Sequence, residues 1–158
     1  MKVLVVYDSA YGNTEEIARA IGAAVTPPDS ARVVKVDAAG MVDLNGVDML
    51  IVGSPTQGGR ATQNMQTFIS GIPAAMLKDV KVAAFDTRIV PKGAVGRFFI
   101  RTFGYAAGRI GSVLAGKSGT QVVEPEGFIV EGKEGPLKEG EVERAAAWAK
   151  TLLGKART

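Results

Sequence analysis

The 158-residue chain contains neither cysteine nor histidine, and the two absences together exclude disulfides, thiolate nucleophiles, Ser-His-Asp triads and the usual zinc sites. A magnesium ion held by carboxylates stays open. With so little side-chain acid-base chemistry to draw on, any redox activity has to come from a bound cofactor. Long apolar runs are also missing, since the longest fall far short of the roughly 20 residues that span a bilayer. No charged-then-apolar leader follows Met1 and Lys2, so a cytoplasmic protein is expected.

The hydrophobic share of 46% is that of a globular protein. The length suits a single domain over residues 1–158, enough to bury about 68–70% of the unfolded surface. No internal repeat, low-complexity tract or linker interrupts it. The net charge of +3 conceals an uneven distribution: residues 60–117 carry 9 basic and 2 acidic side chains, against 4 and 7 in residues 1–59 and 6 and 7 in residues 118–158. Such asymmetry points to a basic face towards an anionic partner.

The chain is organised around residues 3–21. Val3, Leu4, Val5 and Val6 form an apolar run that breaks into Asp8-Ser9-Ala10-Tyr11-Gly12-Asn13-Thr14. Ile17, Ala18, Ile21 and Val25 then recur at helical spacing. A strand, a tight polar loop and a helix start offer a phosphate unpaired amides, the positive end of a helix dipole and two hydroxyls, those of Ser9 and Thr14. No lysine or arginine lies between Lys2 and Arg19. Asn13-x-x-Glu16 also fits a capping box, so a plain capped helix accounts for the same residues.

Further along, Pro27 to Ser30 reads as a turn, and residues 32–37 and 48–53 as buried strands. The second of these runs into Ser54-Pro55-Thr56-Gln57-Gly58-Gly59. Met65, Phe68, Ile69 and Ile72 mark a helix that Gly71 and Pro73 end, and residues 80–85 form a fourth strand leading into Asp86-Thr87-Arg88. Residues 89–104 read as a long loop or broken helix and 105–115 as a more regular one, because Gly96, Gly104, Gly108 and Gly111 would each cost about 1 kcal/mol in a helix interior. The last strand starts at 120–123 and resumes at 128–130. A closing helix covers 141–153, with Val142, Ala145, Ala146, Ala149 and Leu152 inward and Trp148 packed or half-exposed. Alternating strands and helices imply a parallel sheet covered on both faces, with the loops at 8–14, 54–59 and 86–88 gathered beyond the carboxyl ends of the strands, where ligands bind. Gly111 to Ser118 matches GxxxxGK[ST], but that motif needs a strand before it and a helix after it, and here the order is reversed.

Ser9-Ala10-Tyr11-Gly12-Asn13-Thr14 resembles the phosphate loop of the flavodoxin family, S/T-x-T-G-x-T, with Tyr11 in the place of a threonine. Pro55-Thr56 with the following glycines resembles that family's second flavin loop, and Phe85-Asp86-Thr87-Arg88 its third. The resemblance covers nearly the whole chain and implies a flavodoxin-like, doubly wound five-stranded parallel α/β sheet in the order 2-1-3-4-5. It also implies bound FMN, held by Ser9, Ala10, Tyr11, Gly12, Asn13, Thr14, Pro55, Thr56, Gln57, Gly58, Gly59, Asp86, Thr87 and Arg88, with electrons carried between redox partner proteins. A peptide carbonyl of Gly58 or Gly59 would turn towards the protonated N5 of the reduced flavin.

The chain departs from the family in two respects. The second and third loops lack the usual stacking aromatics, leaving Tyr11, Phe98 and Tyr105 as candidates, while Phe99 and Phe103 read as core. Flavodoxins are also mostly acidic, whereas here Arg97, Arg101, Tyr105 and Arg109 fall at four-residue spacing and, if this segment is helical, line one face that reads either as ordinary solvated surface or as a docking face for an acidic redox partner. An FMN-dependent reductase of quinones or similar acceptors, and a module of the same fold without flavin, are the alternatives.

Overall fold

Val3, Val5 and Tyr7 point to one side of strand β1 (Lys2–Tyr7) and Leu4 and Val6 to the other, and all five are buried, so this strand needs a layer of helices on each face. The computed structural model describes the backbone of residues 1–158 and every side chain apart from those of Phe99, Thr102 and Phe103. The expected core placement of Phe99 and Phe103 therefore lies outside the described residues.

The parallel sheet runs β2 (Ser30–Lys35), β1, β3 (Met49–Pro55), β4 (Lys81–Arg88), β5 (Thr120–Gln121), the expected order 2-1-3-4-5. Strand β6 (Glu126–Ile129) is additional and pairs with β4 beyond β5. The two pieces form one interrupted edge: Lys81 and Val82 pair with Thr120 and Gln121, and Phe85 to Arg88 with Glu126 to Ile129. Pro125, which has no amide to give to a ladder, sits in the gap. Helices α1 (Asn13–Ala23) and α6 (Glu141–Ala156) cover one face; α2 (Gln63–Gly71), the short α3 (Ala74–Leu77) and α5 (Ala106–Gly116) cover the other. Among the described residues no helix is long and apolar enough to cross a membrane.

Several elements differ from expectation for local reasons. Asp86, Thr87 and Arg88 are strand rather than loop, because Ser54 and Pro55 pair with the first two and Ile129 with the third. Strand β2 is a half-exposed edge rather than a buried strand. Residues 94–103 form a helix, α4 (Ala94–Phe103), which Gly104 ends at φ 72° before α5 begins. The stripe of Arg97, Arg101, Tyr105 and Arg109 is thus split between two helices. The GxxxxGK[ST] match is the end of α5, where Lys117 Nζ donates to the carbonyls of Ser70 (2.9 Å) and Ile72 (2.6 Å).

The α1/α6 side of the core closes on three rings. Phe85, Phe128 and Trp148 meet edge to face with centroids 6.1, 6.1 and 6.0 Å apart, a geometry worth about 0.5–1.5 kcal/mol per pair beyond burial. Phe85 fits because its neighbour across the ladder is Gly53, where a Cβ would stand 2.0 Å from the ring's Cζ. Gly53→Ala should therefore lower stability by about 1–3 kcal/mol through overpacking. Urea denaturation checks this, and an unchanged midpoint would show that the Phe85 ring gives way freely.

Candidate functional site

Strand β1 ends at Tyr7, and the chain turns over Gly12, at φ 93°, into α1. The Asn13/Glu16 capping box does not form: the N-cap is Gly12 and makes no side-chain cap. Instead Ser9 Oγ accepts from the amides of Gly12 (3.0 Å) and Glu15 (3.4 Å), closing the loop into a ring. Asn13 turns outward, its Nδ2 donating to the carbonyl of Glu134 at 3.1 Å. The amides of Ala10, Tyr11, Asn13 and Thr14 are left without an acceptor among the described residues. Such a concave group of amides at a helix N-terminus suits an anion.

Two carboxylates behind the loops fix their positions. Asp8 accepts from Ser9 N (2.9 Å) and from Thr62 Oγ1 (2.5 Å), and Thr62 in turn caps α2 by accepting from Met65 N (3.3 Å). Asp86 has no exposed surface. It accepts from Arg88 Nε (2.7 Å) and Nη2 (2.9 Å) and from the amide of Ala107 (2.9 Å) at the start of α5. The Arg88 guanidinium lies 3.6 Å from the centre of the Tyr105 ring and against Gly127, where a Cβ would come 2.1 Å from its Cζ.

The first and third segments are tied directly by Thr14 Oγ1 and Thr87 Oγ1, 2.8 Å apart. The second joins them through the Thr56 amide, which donates to Thr87 O at 2.9 Å, while Thr56 Oγ1 accepts from Ala106 N at 3.0 Å. Gly58 and Gly59, at φ 58° and 79°, make the two-residue turn between Gln57 and Arg60, which exchange amide bonds of 2.8 and 3.1 Å. Two successive positive φ angles are why glycines stand there.

Between the segments opens a cleft of about 510 Å³. Of the residues expected to hold a cofactor, Ser9, Ala10, Tyr11, Asn13, Thr14, Pro55, Thr56, Gln57, Thr87 and Arg88 line it. Gly12, Gly58, Gly59 and Asp86 do not, and act as backbone hinges or supports. Ile89, Val130 and Lys133 complete the wall. The sequence offered no sign of Val130 and Lys133, which arrive on the segment after β6, more than a hundred residues after the first loop. Of the three candidate aromatics only Tyr11, 49% exposed, lines the cleft. Tyr105 presents a face to Arg88, and Phe98 stands 69% exposed on α4.

Under the first loop, Tyr7 donates to Glu15 Oε1 at 2.5 Å. Burial and then this bond push the Tyr7 pKa up to about 12, while the same bond holds the Glu15 carboxyl below its usual range. Among the described residues no group of acidic side chains could hold a metal ion.

The chain matches the model of the flavodoxin family over residues 5–148. No curated protein matches it. Among solved structures it is similar to a flavodoxin from the Archaea, with 19% identity and a TM-score of 0.80 over 100% of both chains. It is also similar to oxidised flavodoxin 1 of Bacillus cereus, with 20% identity and a TM-score of 0.76 over 98% of both chains. Two-electron reduced flavodoxin of Megasphaera elsdenii aligns at 21% identity and a TM-score of 0.68, over 94% of this chain and 98% of that one.

The Asp86–Arg88 pair makes a direct test of the site's scaffold. Arg88→Met leaves a buried carboxylate without its counter-charge and should cost about 3 kcal/mol, the range found when one partner of a buried pair is removed. Chemical denaturation measures it; a loss under about 1 kcal/mol would mean that water or another donor reaches Asp86.

Proposed function

Because the chain belongs to the flavodoxin family, whose proteins bind FMN, we propose that it holds FMN in this cleft and carries electrons between partner proteins. The observation that carries the reading is the set of four amides, at Ala10, Tyr11, Asn13 and Thr14, left without acceptors beside the hydroxyls of Ser9 and Thr14. They suit a phosphate monoester, and the cleft volume lies within the range of small-ligand and cofactor sites. FMN, when bound, supplies one- and two-electron redox chemistry that no side chain here could supply.

The chain's own residues bind, orient and shield. The amides and hydroxyls of the first loop take the phosphate; Tyr11, Pro55 and Ile89 offer apolar surface to the ring; Thr56 and Gln57 offer polar groups to its edge. The Thr14–Thr87 bond keeps the phosphate and ring ends in one geometry. At Gly58 and Gly59 the peptide can rotate at little steric cost, as a carbonyl meeting a protonated flavin nitrogen requires. With one aromatic on the wall, the ring is more openly held than between two.

The partner is read from the segment that follows β4. No acidic residue occurs between Asp86 and Glu124, while Lys92, Arg97, Arg101 and Arg109 do. Arg97, Arg101 and Arg109 are all exposed, and Val95 (84%) and Phe98 (69%) stand out of α4 beside them. Exposed apolar and basic side chains on this segment suit an acidic redox protein as the docking partner. Screening beyond about 8 Å at physiological ionic strength confines the cations' effect mainly to the association rate.

For FMN binding, replacing Ser9 and Thr14 together by alanine should lower affinity at least about tenfold, since each charge-assisted bond is worth roughly 1.5–3 kcal/mol. Flavin fluorescence titration should also show riboflavin binding much more weakly than FMN; equal binding would remove the phosphate from this loop. For the partner, changing Arg97, Arg101 and Arg109 to glutamate should slow electron transfer several-fold at low salt with FMN affinity unchanged, and added salt should narrow the gap. Equal rates at low salt would return these arginines to ordinary surface. Steady NAD(P)H oxidation by the purified protein alone would favour a reductase over a carrier.

A further inference from the structure

The first loop offers a phosphate amides and hydroxyls but no charged donor of its own. The loop contains no cation, and the first turn of α1 carries Glu15 and Glu16. The cleft wall has two positive side chains, Arg88 and Lys133. Arg88 is engaged by Asp86 through Nε and Nη2 and pressed between Tyr105 and Gly127, so it is already paired with a carboxylate. Lys133 has no carboxylate partner among the described residues.

Lys133 is also held in place by its backbone. Residues 130–137 form a small hairpin in which Val130 bridges Leu137, Glu131 N donates to Pro136 O (2.8 Å) and Gly135 N to Gly132 O (3.0 Å). The hairpin tip is docked on the start of α1 by the Asn13–Glu134 bond. The approach is close: a Cβ on Gly135, at φ 106°, would come 2.6 Å from Asn13 Oδ1. The hairpin therefore brings Lys133 to the same cleft as Ser9, Asn13 and Thr14.

We propose that Lys133 is a phosphate-binding and specificity-determining residue, its ammonium pairing with the FMN phosphate across the cleft from the loop amides. The inference rests on the FMN reading above. Its consequence is that selection of FMN over the uncharged riboflavin is set partly by a hairpin far from the phosphate loop in sequence. The docked tip and the loop form one anion site.

The test is a flavin fluorescence titration of the apoprotein with FMN and with riboflavin, at low and high salt, for wild type, Lys133→Ala and Lys133→Arg. Lys133→Ala should weaken FMN about tenfold, the scale of one charge-assisted contact, and leave riboflavin unchanged. Its FMN affinity should depend less on salt than that of wild type, and Lys133→Arg should restore most of the loss. Equal weakening of both flavins would make Lys133 a packing residue, and undiminished FMN binding would make it solvated surface; either overturns the proposal while leaving the FMN reading intact. Wild-type protein that binds neither flavin would overturn that reading and the role of Lys133 with it.

Discussion

A carboxylate without exposed surface has to be paired or it destabilises the fold by several kcal/mol, and the need to pair Asp86 sets much of the geometry at the carboxyl edge of the sheet. Its partner is two residues on in the same strand, so the ion pair lies on the α5 side of β4 and draws the first turn of α5 onto it through Ala107 N. Tyr105 covers the guanidinium, which places the break between α4 and α5 directly over the pair. On the other face of the same strand Thr87 meets Thr14. One strand end thus positions a helix on one side and the first loop on the other.

This arrangement also separates two kinds of positive charge. Arg88 lines the cleft, but its Nε and Nη2 donate to Asp86 and its ring-facing side is covered by Tyr105. The cations of α4 and its approach are exposed and carry no acidic neighbour in sequence. Around the first loop the charges are the carboxylates of Asp8, Glu15 and Glu16, with Arg19 beside Glu15, and Lys133 on the cleft wall. The charge count over residues 60–117 alone would have merged Arg88 with the cations of α4.

The parallel sheet with helices on both faces was legible because apolar strand runs alternate with helical periodicity, whereas the strand order came only from the resemblance of the three loops to a known family. The three segments of the cleft were legible as well, since a polar cluster at a strand end has few other uses. What failed was decided by pairing across the sheet: Asp86 to Arg88 read as loop because their polar side chains outweigh the ladder that β3 and β6 impose on them. The capping box at Asn13 failed because Gly12 takes the N-cap position, the Glu16 amide donates to the Gly12 carbonyl (3.1 Å), and the Asn13 side chain is drawn to the carbonyl of Glu134. Lys133 was invisible because its relation to Asn13 is a tertiary contact with no local signature.

The interrupted edge has a consequence for the protein's behaviour at high concentration. An unbroken, flat edge strand offers a row of free amides and carbonyls on which another chain can add, and from which fibrils can grow. Here the β5–β6 edge is cut at Pro125, and each piece is too short to template such growth. At the opposite edge β2 turns the charged Arg32 and Lys35 to solvent. Both margins thereby offer another chain little on which to add a strand.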